Sequence, residues 1–425
     1  MFCQGFVALV LVGGTNLVSW PAVGAITAHP GTVPAVPAVP AVLAGKGGPR
    51  QLAELLAADG ASGDGSGSSV SVVGGTMAVG APFHTVDGNA QQGAVYVYVR
   101  SGSSWTQQAE LTASDGAAFD AFGSGVALSK DTLVVGAPQH TVGANAEQGA
   151  AYLFTRTGTS WTQQAELTAS DGAASDFFGY AISLTKKQLV VGAPLREVGG
   201  VPQAGGVYVF ARGRTGWTQQ AELTASDGAA NDFFGEAVAL SGTTLVVGAP
   251  HHQVGFDPLQ GAAYVFTGGT SWVQSAELTA ADGEIGDTFG WSVAVSGGEI
   301  IVGAPGRNMG NGGFEGAAYL FTGGTSWVQT AELAAPDGAA GDEFGASVAI
   351  SGTTAAVGAP GHATFQGAAY VFTDVAGWAE LAELTASDGA ANDFFGWAVD
   401  ATPRRVAVGA EGWQGSQGAA YLFAV

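Results

Sequence analysis

The stretch WTQQAELTASDGAANDFFG, residues 217–235, decides the fold because it recurs with little change along most of the chain. A Gly-Ala-Pro triplet follows most copies, and a segment of the type Gly-Ala-Ala-Tyr-Val-Phe closes each unit. The tryptophan of the stretch returns at spacings of 51 to 56 residues, at Trp105, Trp161, Trp217, Trp272, Trp327 and Trp378. The closing tyrosine occurs seven times, at Tyr96, Tyr152, Tyr208, Tyr264, Tyr319, Tyr370 and Tyr421. Self-similarity at such a period identifies a repeat architecture, here of seven units.

Each unit has the pattern of four strands, as the unit around residue 240 shows. Residues 235–240 (GEAVAL) are small, which suits a crowded hub, and residues 245–248 (LVVG) form an apolar run typical of a strand covered on both faces. Residues 263–267 (AYVFT) give a third strand. Residues 272–279 alternate between apolar and polar side chains, as an outer strand does. The sequence therefore predicts an all-β, seven-bladed β-propeller with four antiparallel strands per blade.

The two ends of the repeat region predict how the ring closes. The chain stops at Val425, directly after a third strand, so the last blade has no outer strand of its own. Residues 52–57 (LAELLA) match an outer strand but precede the first hub strand. We therefore expect residues 51–58 to complete blade seven, which removes an open sheet edge. The propeller is predicted to span residues 50–425.

The first 49 residues differ from the repeats. An apolar run at residues 6–12 and small residues at 22–25 predict a signal peptide over residues 1–25. No Lys or Arg precedes Lys46, so a disordered tail or a wrongly assigned start stays open as an alternative. Residues 26–49 are interpreted as a Pro/Ala/Val-rich linker. No transmembrane segment follows.

Composition excludes some partners. The formal net charge is −22, which would repel phosphate backbones, so no nucleic-acid partner is expected. Cations, basic protein patches and neutral glycans remain compatible with such a surface. Cys3 is the single cysteine, so the chain has no disulfide framework and no cysteine-based metal site. The sequence does not predict an oligomeric state.

The pairing of Phe-Gly with Gly-Ala-Pro resembles the FG-GAP repeats of integrin α-subunit propellers and of many bacterial and eukaryotic surface proteins. Residues 217–235 are most similar to the secreted microbial branch. The resemblance implies a secreted or cell-surface module of adhesion and ligand binding, often supported by calcium. Two motifs depart from the pattern: Ser66-Gly67 replaces Phe-Gly, and residues 409–411 read Gly-Ala-Glu. The integrin-type loop Asp-x-Asp-x-Asp-Gly is replaced by short turns such as residues 185–188, with two lysines, so that calcium site does not carry over.

Two aspartate columns follow the outer strands. The first contains Asp59, Asp115, Asp171, Asp227, Asp282, Asp337 and Asp388, and the second contains Asp64, Asp120, Asp176, Asp232, Asp287, Asp342 and Asp393. From the second unit onward, both columns are candidate oxygen ligands, and calcium is the cofactor that they could hold. The alternative is that each aspartate caps its own turn by accepting backbone N–H groups. The alternative is favoured because all seven units carry both residues, including the degenerate ones.

A third column lies two residues after the proline of Gly-Ala-Pro, in a loop expected on the same face of the propeller. Its members are the ligand-binding candidates His84, His140, Arg196, His252, Arg307, His362 and, in the degenerate unit, Trp413. One interpretation is that these cations pair with the neighbouring aspartates and hold blades together. The other is that they form a ring that grips an anionic or glycan ligand. The rest of each loop varies in length and content, as specificity loops on a rigid scaffold do. Ligand contacts are expected from the loop residues Phe83, Arg196, His251, Phe256, Asn308, Phe314, Phe365 or Trp413.

These patterns predict a binding or adhesion module, secreted or at the cell surface, that recognises a protein or glycan through loops on one face. Catalysis is not expected, because no Ser-His-Asp spacing, phosphate-cradling loop or HExxH motif occurs. Two alternatives stay open: a structural scaffold within a larger surface assembly, and a propeller hydrolase or lyase.

Overall fold

The computed structural model describes residues 48–425 except residues 270, 311, 312 and 325. The predicted signal peptide and all but the last two residues of the predicted linker lie outside the described residues. Residues 50–425 form seven four-stranded antiparallel sheets, which confirms the predicted all-β, seven-bladed propeller. Within the described part of the chain, no helix has the length and hydropathy needed to cross a membrane.

The strands of the described residues are short, and almost all of them fall where the repeat places them. In chain order they are β1 (Arg50–Leu55), β2 (Ser69–Val73), β3 (Thr76–Ala81), β4 (Ala94–Ser101), β5 (Ser104–Leu111), β6 (Val126–Ser129), β7 (Thr132–Ala137), β8 (Ala150–Thr157), β9 (Ser160–Leu167), β10 (Ile182–Leu184), β11 (Gln188–Ala193), β12 (Gly206–Arg212), β13 (Trp217–Leu223), β14 (Val238–Ser241), β15 (Thr244–Ala249), β16 (Ala262–Thr267), β17 (Val273–Leu278), β18 (Ser292–Ser296), β19 (Glu299–Ala304), β20 (Ala317–Gly323), β21 (Trp327–Leu333), β22 (Ser347–Ser351), β23 (Thr354–Ala359), β24 (Ala368–Asp374), β25 (Trp378–Leu384), β26 (Phe395–Thr402), β27 (Arg405–Ala410) and β28 (Ala419–Ala424). Two single helical turns, α1 (His362–Phe365) and α2 (Trp413–Ser416), lie in the loops between the second and third strands of blades six and seven.

Each blade is a meander in chain order, from the hub strand to the outer strand. Blade one contains β2-β3-β4-β5 and blade two contains β6-β7-β8-β9, and the same order continues through blade six. Blade seven contains β26-β27-β28-β1. The second and third strands are almost fully buried, as in β7 and in the first five residues of β8, because neighbouring blades cover both of their faces.

The N-terminal strand closes the ring, as predicted. β1 pairs antiparallel with β28, with Leu55 opposite Ala420 and Gln51 opposite Phe423. Leu55 is 3% exposed and belongs to a buried cluster that also contains residues of β3 and β4 in blade one. The two ends of the repeat region are therefore held in one sheet.

The core between blades is built around the phenylalanine of each Phe-Gly pair. Phe122, on the link into blade two, is fully buried and packs edge-on against Tyr152, with ring centroids 5.6 Å apart. It also contacts Phe154 of the same strand, with ring centroids 6.0 Å apart. Such edge-to-face pairs add a directional contact to the burial of apolar area. The link therefore fixes the position of each blade in the ring.

The glycines of the two motifs bring the backbones of adjacent blades together at the hub. Gly123 donates its backbone N–H to the carbonyl oxygen of Gly136 at 2.9 Å. A Cβ atom on Gly136 would collide with the carbonyl oxygen of Gly179, which belongs to the next Phe-Gly pair. The motif therefore needs glycine because no side chain fits where the two backbones meet.

Candidate functional site

The links between blades and the loops between second and third strands lie on the same face of the propeller, as expected. In blade one, His84 of the loop after β3 contacts both Asp59 and Asp64 of the link that follows β1. We call this surface the loop face. The same double contact recurs in blades four and six, with His252 and His362. In blade two, His140 contacts Asp120, and Asp115 lies within 4.8 Å.

The second aspartate of each link is a turn cap. Asp120 is 3% exposed, and its Oδ2 accepts the backbone N–H of Ala117 at 2.8 Å. The same bond, to the residue three positions earlier, is made at 2.7–2.9 Å by Asp64, Asp176, Asp232, Asp287, Asp342 and Asp393. Short acceptors of this kind stabilise turns by satisfying backbone donors. This geometry matches the turn-capping interpretation of that column.

The same capping oxygen also holds the histidine of the loop. The Nδ1 atom of His140 lies 2.8 Å from Asp120 Oδ2, and in blades one, four and six the corresponding distances are 2.8–2.9 Å. The hydrogen bond that His140 donates to Asp120, together with the nearby carboxylates, raises the pKa of His140 against the opposing effect of burial. The pKa of His252 is raised in the same way by Asp232. Each histidine thus ties its loop to the incoming link.

The first aspartate of each link is more exposed and meets a residue that the sequence analysis did not single out. This residue is the glutamate of the Ala-Glu-Leu segment on the outer strand. In blade four, His252 Nε2 lies 3.9 Å from Asp227 Oδ2 and 3.9 Å from Glu277 Oε1. The pKa of Glu277 is raised by burial and then by the charge of Asp227. One signal for this residue was in the sequence: the polar face of the outer strand varies, but its glutamate recurs in every unit.

Two blades place an arginine where the others have histidine. In blade three, Arg196 Nη2 contacts Asp171 and lies 3.0 Å from Glu222, while Nη1 lies 3.3 Å from Asp176. In blade five, Arg307 Nη2 lies 2.7 Å from Asp282. The guanidinium group therefore supplies a permanent positive charge to carboxylates that have the same arrangement as in the histidine blades.

Asp287, the cap of blade five, shows how strongly this position is buried. It is 1% exposed, and burial raises its pKa to about 7, although Arg307 and the backbone N–H of Glu284 oppose the rise. Arg307 Nη1 lies 3.4 Å from its Oδ2, which is long for a charge-assisted hydrogen bond.

The degenerate blade seven replaces the cation with an indole. Trp413 Nε1 donates a hydrogen bond to Asp388 Oδ2 at 2.9 Å, and the hydroxyl of Tyr421 donates to Asp388 Oδ1 at 3.0 Å. Asp393 caps its turn as in the other blades. Residues 388 and 390–394 of the link and residues 412–416 of the loop line an open cavity here.

The loop face also carries exposed apolar side chains, in the parts of the loops and links that differ between blades. Phe256 in the blade-four loop is 96% exposed and Phe314 in the blade-five loop is 55% exposed. Ile285, on the link between these two blades, is 45% exposed. Gly286, next to Ile285, donates its backbone N–H to the carbonyl oxygen of Pro258, which places this link against the blade-four loop.

Seven four-stranded blades, closed by the N-terminal strand and joined through the glycines of Phe-Gly and Gly-Ala-Pro, define a β-propeller with one elaborated loop face. The family model described as "FG-GAP repeat" matches residues 49–98, 105–154, 161–210, 217–266, 272–321, 327–372 and 378–423. The chain therefore belongs to the FG-GAP repeat family.

A search of curated proteins finds no match to this chain. Among solved structures, a chain from the "Crystal Structure of Mitotic Checkpoint Complex" is similar with a TM-score of 0.48 and 12% sequence identity, over 82% of this chain and 86% of that chain.

Proposed function

We propose that this protein is a secreted or cell-surface recognition module that binds a protein or glycan ligand through its loop face and catalyses no reaction. FG-GAP repeats are typical of extracellular proteins, and their propellers often bind proteins. The observation that carries the proposal is the exposure of Phe256, Ile285 and Phe314 on a face whose other repeated side chains are engaged in the scaffold.

The side chains of the loop face fall into a structural group and an exposed group, and this separation supports the proposal. The capping aspartates and the His/Arg column are bonded to one another, so they give the loops a rigid base. Phe256 and Phe314 lie in the variable parts of the loops that this base supports. Exposed aromatic side chains on rigid supports are typical of binding hot spots, because little side-chain entropy is lost on contact.

The charge of the face indicates the chemistry of the partner. Asp227 and Glu284 are exposed carboxylates of the links on either side of blade four, Glu284 directly before Ile285, and the whole chain carries a formal net charge of −22. A ligand with a basic rim around an apolar centre is electrostatically complementary to such a surface. We therefore favour a protein ligand, and a neutral glycan that stacks on Phe256 is the other outcome of the test.

The test is binding of the purified full chain to an array of matrix proteins and glycans, followed by the Phe256→Ala/Phe314→Ala variant. The matched control is Val273→Ala/Val328→Ala, which removes exposed apolar side chains from the outer strands of the same two blades. Loss of binding in the first variant alone supports the proposal. Equal binding by both variants and the wild type would contradict it.

The scaffold alternative has its own observation, namely that each histidine of the column bonds the capping aspartate through Nδ1 and that Arg196 and Arg307 pair with carboxylates of their own blades. It predicts that His252→Ala lowers the melting temperature, Tm, and that no loop-face variant changes any interaction. An array that stays blank for the wild type, together with a lowered Tm for His252→Ala, would favour the scaffold over the recognition module.

A further inference from the structure

Four blades bring a histidine and two carboxylates together in the same geometry. The groups are Asp59, His84 and Glu110; Asp115, His140 and Glu166; Asp227, His252 and Glu277; and Asp337, His362 and Glu383. In each group, one ligand atom from every residue lies within 4.8 Å of the other two. We call these groups the triads. They belong to blades one, two, four and six.

The histidine-to-carboxylate distances within a triad fit a shared ion better than direct hydrogen bonds. In blade six, His362 Nε2 lies 3.8 Å from Asp337 Oδ2 and 3.8 Å from Glu383 Oε1, beyond hydrogen-bond range. Two atoms at that separation can each lie about 2.1 Å from one ion between them, which is within the range of zinc–nitrogen and zinc–oxygen distances.

Each histidine is held in the orientation that a metal ligand needs. In blade two, Nδ1 of His140 faces the buried capping residue Asp120 at 2.8 Å, so Nε2 points to Asp115 and Glu166. Histidines that bind metal ions commonly donate their other ring N–H to a carboxylate, which fixes the tautomer and the ring orientation. Here Asp120 is fixed in turn by the backbone N–H of Ala117. The outer partners of a metal site are therefore already in place.

The arginine blades are an internal comparison. In blade three, the guanidinium of Arg196 occupies the equivalent position and contacts both Asp171 and Glu222. Where histidine is absent, the positively charged guanidinium of arginine therefore pairs with the same two carboxylates. In the histidine blades, the chain supplies no permanent positive charge within the triad.

A buried tyrosine lies beside each histidine in the triads of blades one and two. Tyr96 and Tyr152 are fully buried, and their hydroxyl oxygens have no hydrogen-bond partner of normal geometry among the described residues. Each ring packs edge-on against the triad histidine, with centroids 6.0 Å and 5.8 Å apart. At the equivalent position of blade four, the hydroxyl of Tyr264 donates to the triad aspartate Asp227 at 3.0 Å. In blades one and two, the tyrosine hydroxyl therefore lies beside the triad aspartate, Asp59 or Asp115, as it does in blade four.

The donor set selects the class of ion. Calcium takes six to eight oxygen ligands, whereas one imidazole and two carboxylates are typical of zinc and of other first-row transition metals. The triad histidines have side chains 9–16% exposed, and the glutamates are 34–37% exposed, so water can complete the coordination. We propose that blades one, two, four and six each bind one divalent transition-metal ion, with zinc as the best chemical match, through histidine Nε2, the first aspartate of the link and the outer-strand glutamate.

The test is metal uptake by the full chain, stripped with a chelator and dialysed against Zn²⁺ alone. Metal content is measured by mass spectrometry and affinity by titration calorimetry. We expect four ions per chain, and one fewer in His140→Arg, a substitution that copies what blade three already contains. The variant in which all four triad histidines are changed to arginine should bind no zinc. Calcium in place of zinc should show no uptake that depends on these histidines.

A gain of binding is the sharper arm of the experiment, because it does not depend on damaging the protein. Arg196→His should create a new triad with Asp171 and Glu222, held by the cap Asp176, and should add one zinc ion per chain. Tm measured without metal shows that each variant is folded. Zinc uptake that is equal in the wild type and in the fourfold arginine variant would overturn the proposal, as would a folded Arg196→His variant that binds no additional ion.

Discussion

His140 Nδ1 lies 2.8 Å from Asp120 Oδ2, the same oxygen atom that accepts the backbone N–H of Ala117 at 2.8 Å. One buried carboxylate therefore caps the link into blade two and holds the loop between β7 and β8. The loop face is thus organised by contacts between links and loops, within a blade through residues such as Asp120 and between neighbouring blades through backbone bonds such as that from the N–H of Phe122 to the carbonyl oxygen of Gln92.

The two aspartates of a link should differ in their effect on stability. Asp120→Ala leaves the N–H of Ala117 and the buried ring of His140 without their acceptor, so we expect a loss of about 2–3 kcal/mol in the free energy of unfolding. Asp115→Ala removes an exposed carboxylate and should cost less than about 0.5 kcal/mol. Denaturant titration in the presence of a chelator measures both. Equal losses would contradict the assignment of Asp120 as the cap.

The hub should not accept a methyl group. Gly136→Ala places a Cβ against the carbonyl oxygen of Gly179, and we expect a loss of about 3 kcal/mol or more because two backbones must move apart. Gly75→Ala is the matched control, since its Cβ would meet only Arg100 Cβ at 3.6 Å, an ordinary contact. The control should be neutral or slightly stabilising, because alanine restricts the unfolded chain. Thermal unfolding of the two variants separates these outcomes.

Ring closure can be tested with two adjacent leucines. Leu55 is 3% exposed and packs into the cluster shared by blades seven and one, whereas Leu56 is 38% exposed. Leu55→Ala should lower the free energy of unfolding by about 3 kcal/mol, in the range found for buried leucines, and Leu56→Ala should change it by less than about 1 kcal/mol. If the two losses were the same, β1 would not be an integral strand of blade seven.

Stability should depend on pH through Glu236, which follows the Phe-Gly pair of blade four. Burial raises its pKa to about 7, although its side chain keeps some contact with solvent. Its charge in turn contributes to the raised pKa of Tyr180, the equivalent residue of blade three. Between the pKa of the unfolded state and about 7, the folded state holds the proton more tightly, so stability falls as pH rises through this window.

Glu236→Gln should remove that dependence. Because the variant stays neutral, we expect it to be more stable than the wild type by about 2 kcal/mol at pH 8 and equal to it near pH 4.5. Glu197→Gln, on an exposed loop, is the control and should have little effect at either pH. A stability difference between Glu236→Gln and the wild type that is the same at both pH values would count against a buried, charged Glu236.

The fold was predictable because every repeat contains the same strand patterns in the same order. The apolar run of β15 and the closing segment of β16 lie where the sequence places them. Residues 52–57 match the fourth strand of a repeat although they precede the first repeat, and this match predicts the pairing of β1 with β28. The hub strand of blade four begins later than predicted, at Val238, because Gly235 has a φ of +99° and Phe234 pairs with Gly205 of the preceding blade. From the sequence alone, the small residues after Phe234 cannot be distinguished from the residues of the hub strand that follows them.

The site was predictable only in part. His252 was identified because it lies two residues after the proline of Gly-Ala-Pro, and Asp227 and Asp232 were identified because they recur in every link. Pairing of the histidine with these two aspartates was one of the two interpretations of the sequence. Glu277 was missed because the polar face of an outer strand is usually solvated, and alternation does not tell which of its residues turns toward the link. Phe256 and Phe314 were expected as ligand contacts from their place in the variable loops, and the structure adds that both side chains are exposed.

The contact between Gly136 and Gly179 also bears on how proteins of this architecture evolve. Backbone meets backbone there, so at this contact no side chain sets the spacing of neighbouring blades. A substitution at Gly136 is tolerated only if two backbones move apart, whereas exposed residues of the loops above can change one at a time. We therefore expect substitutions to accumulate faster on the loop face than at the hub glycines.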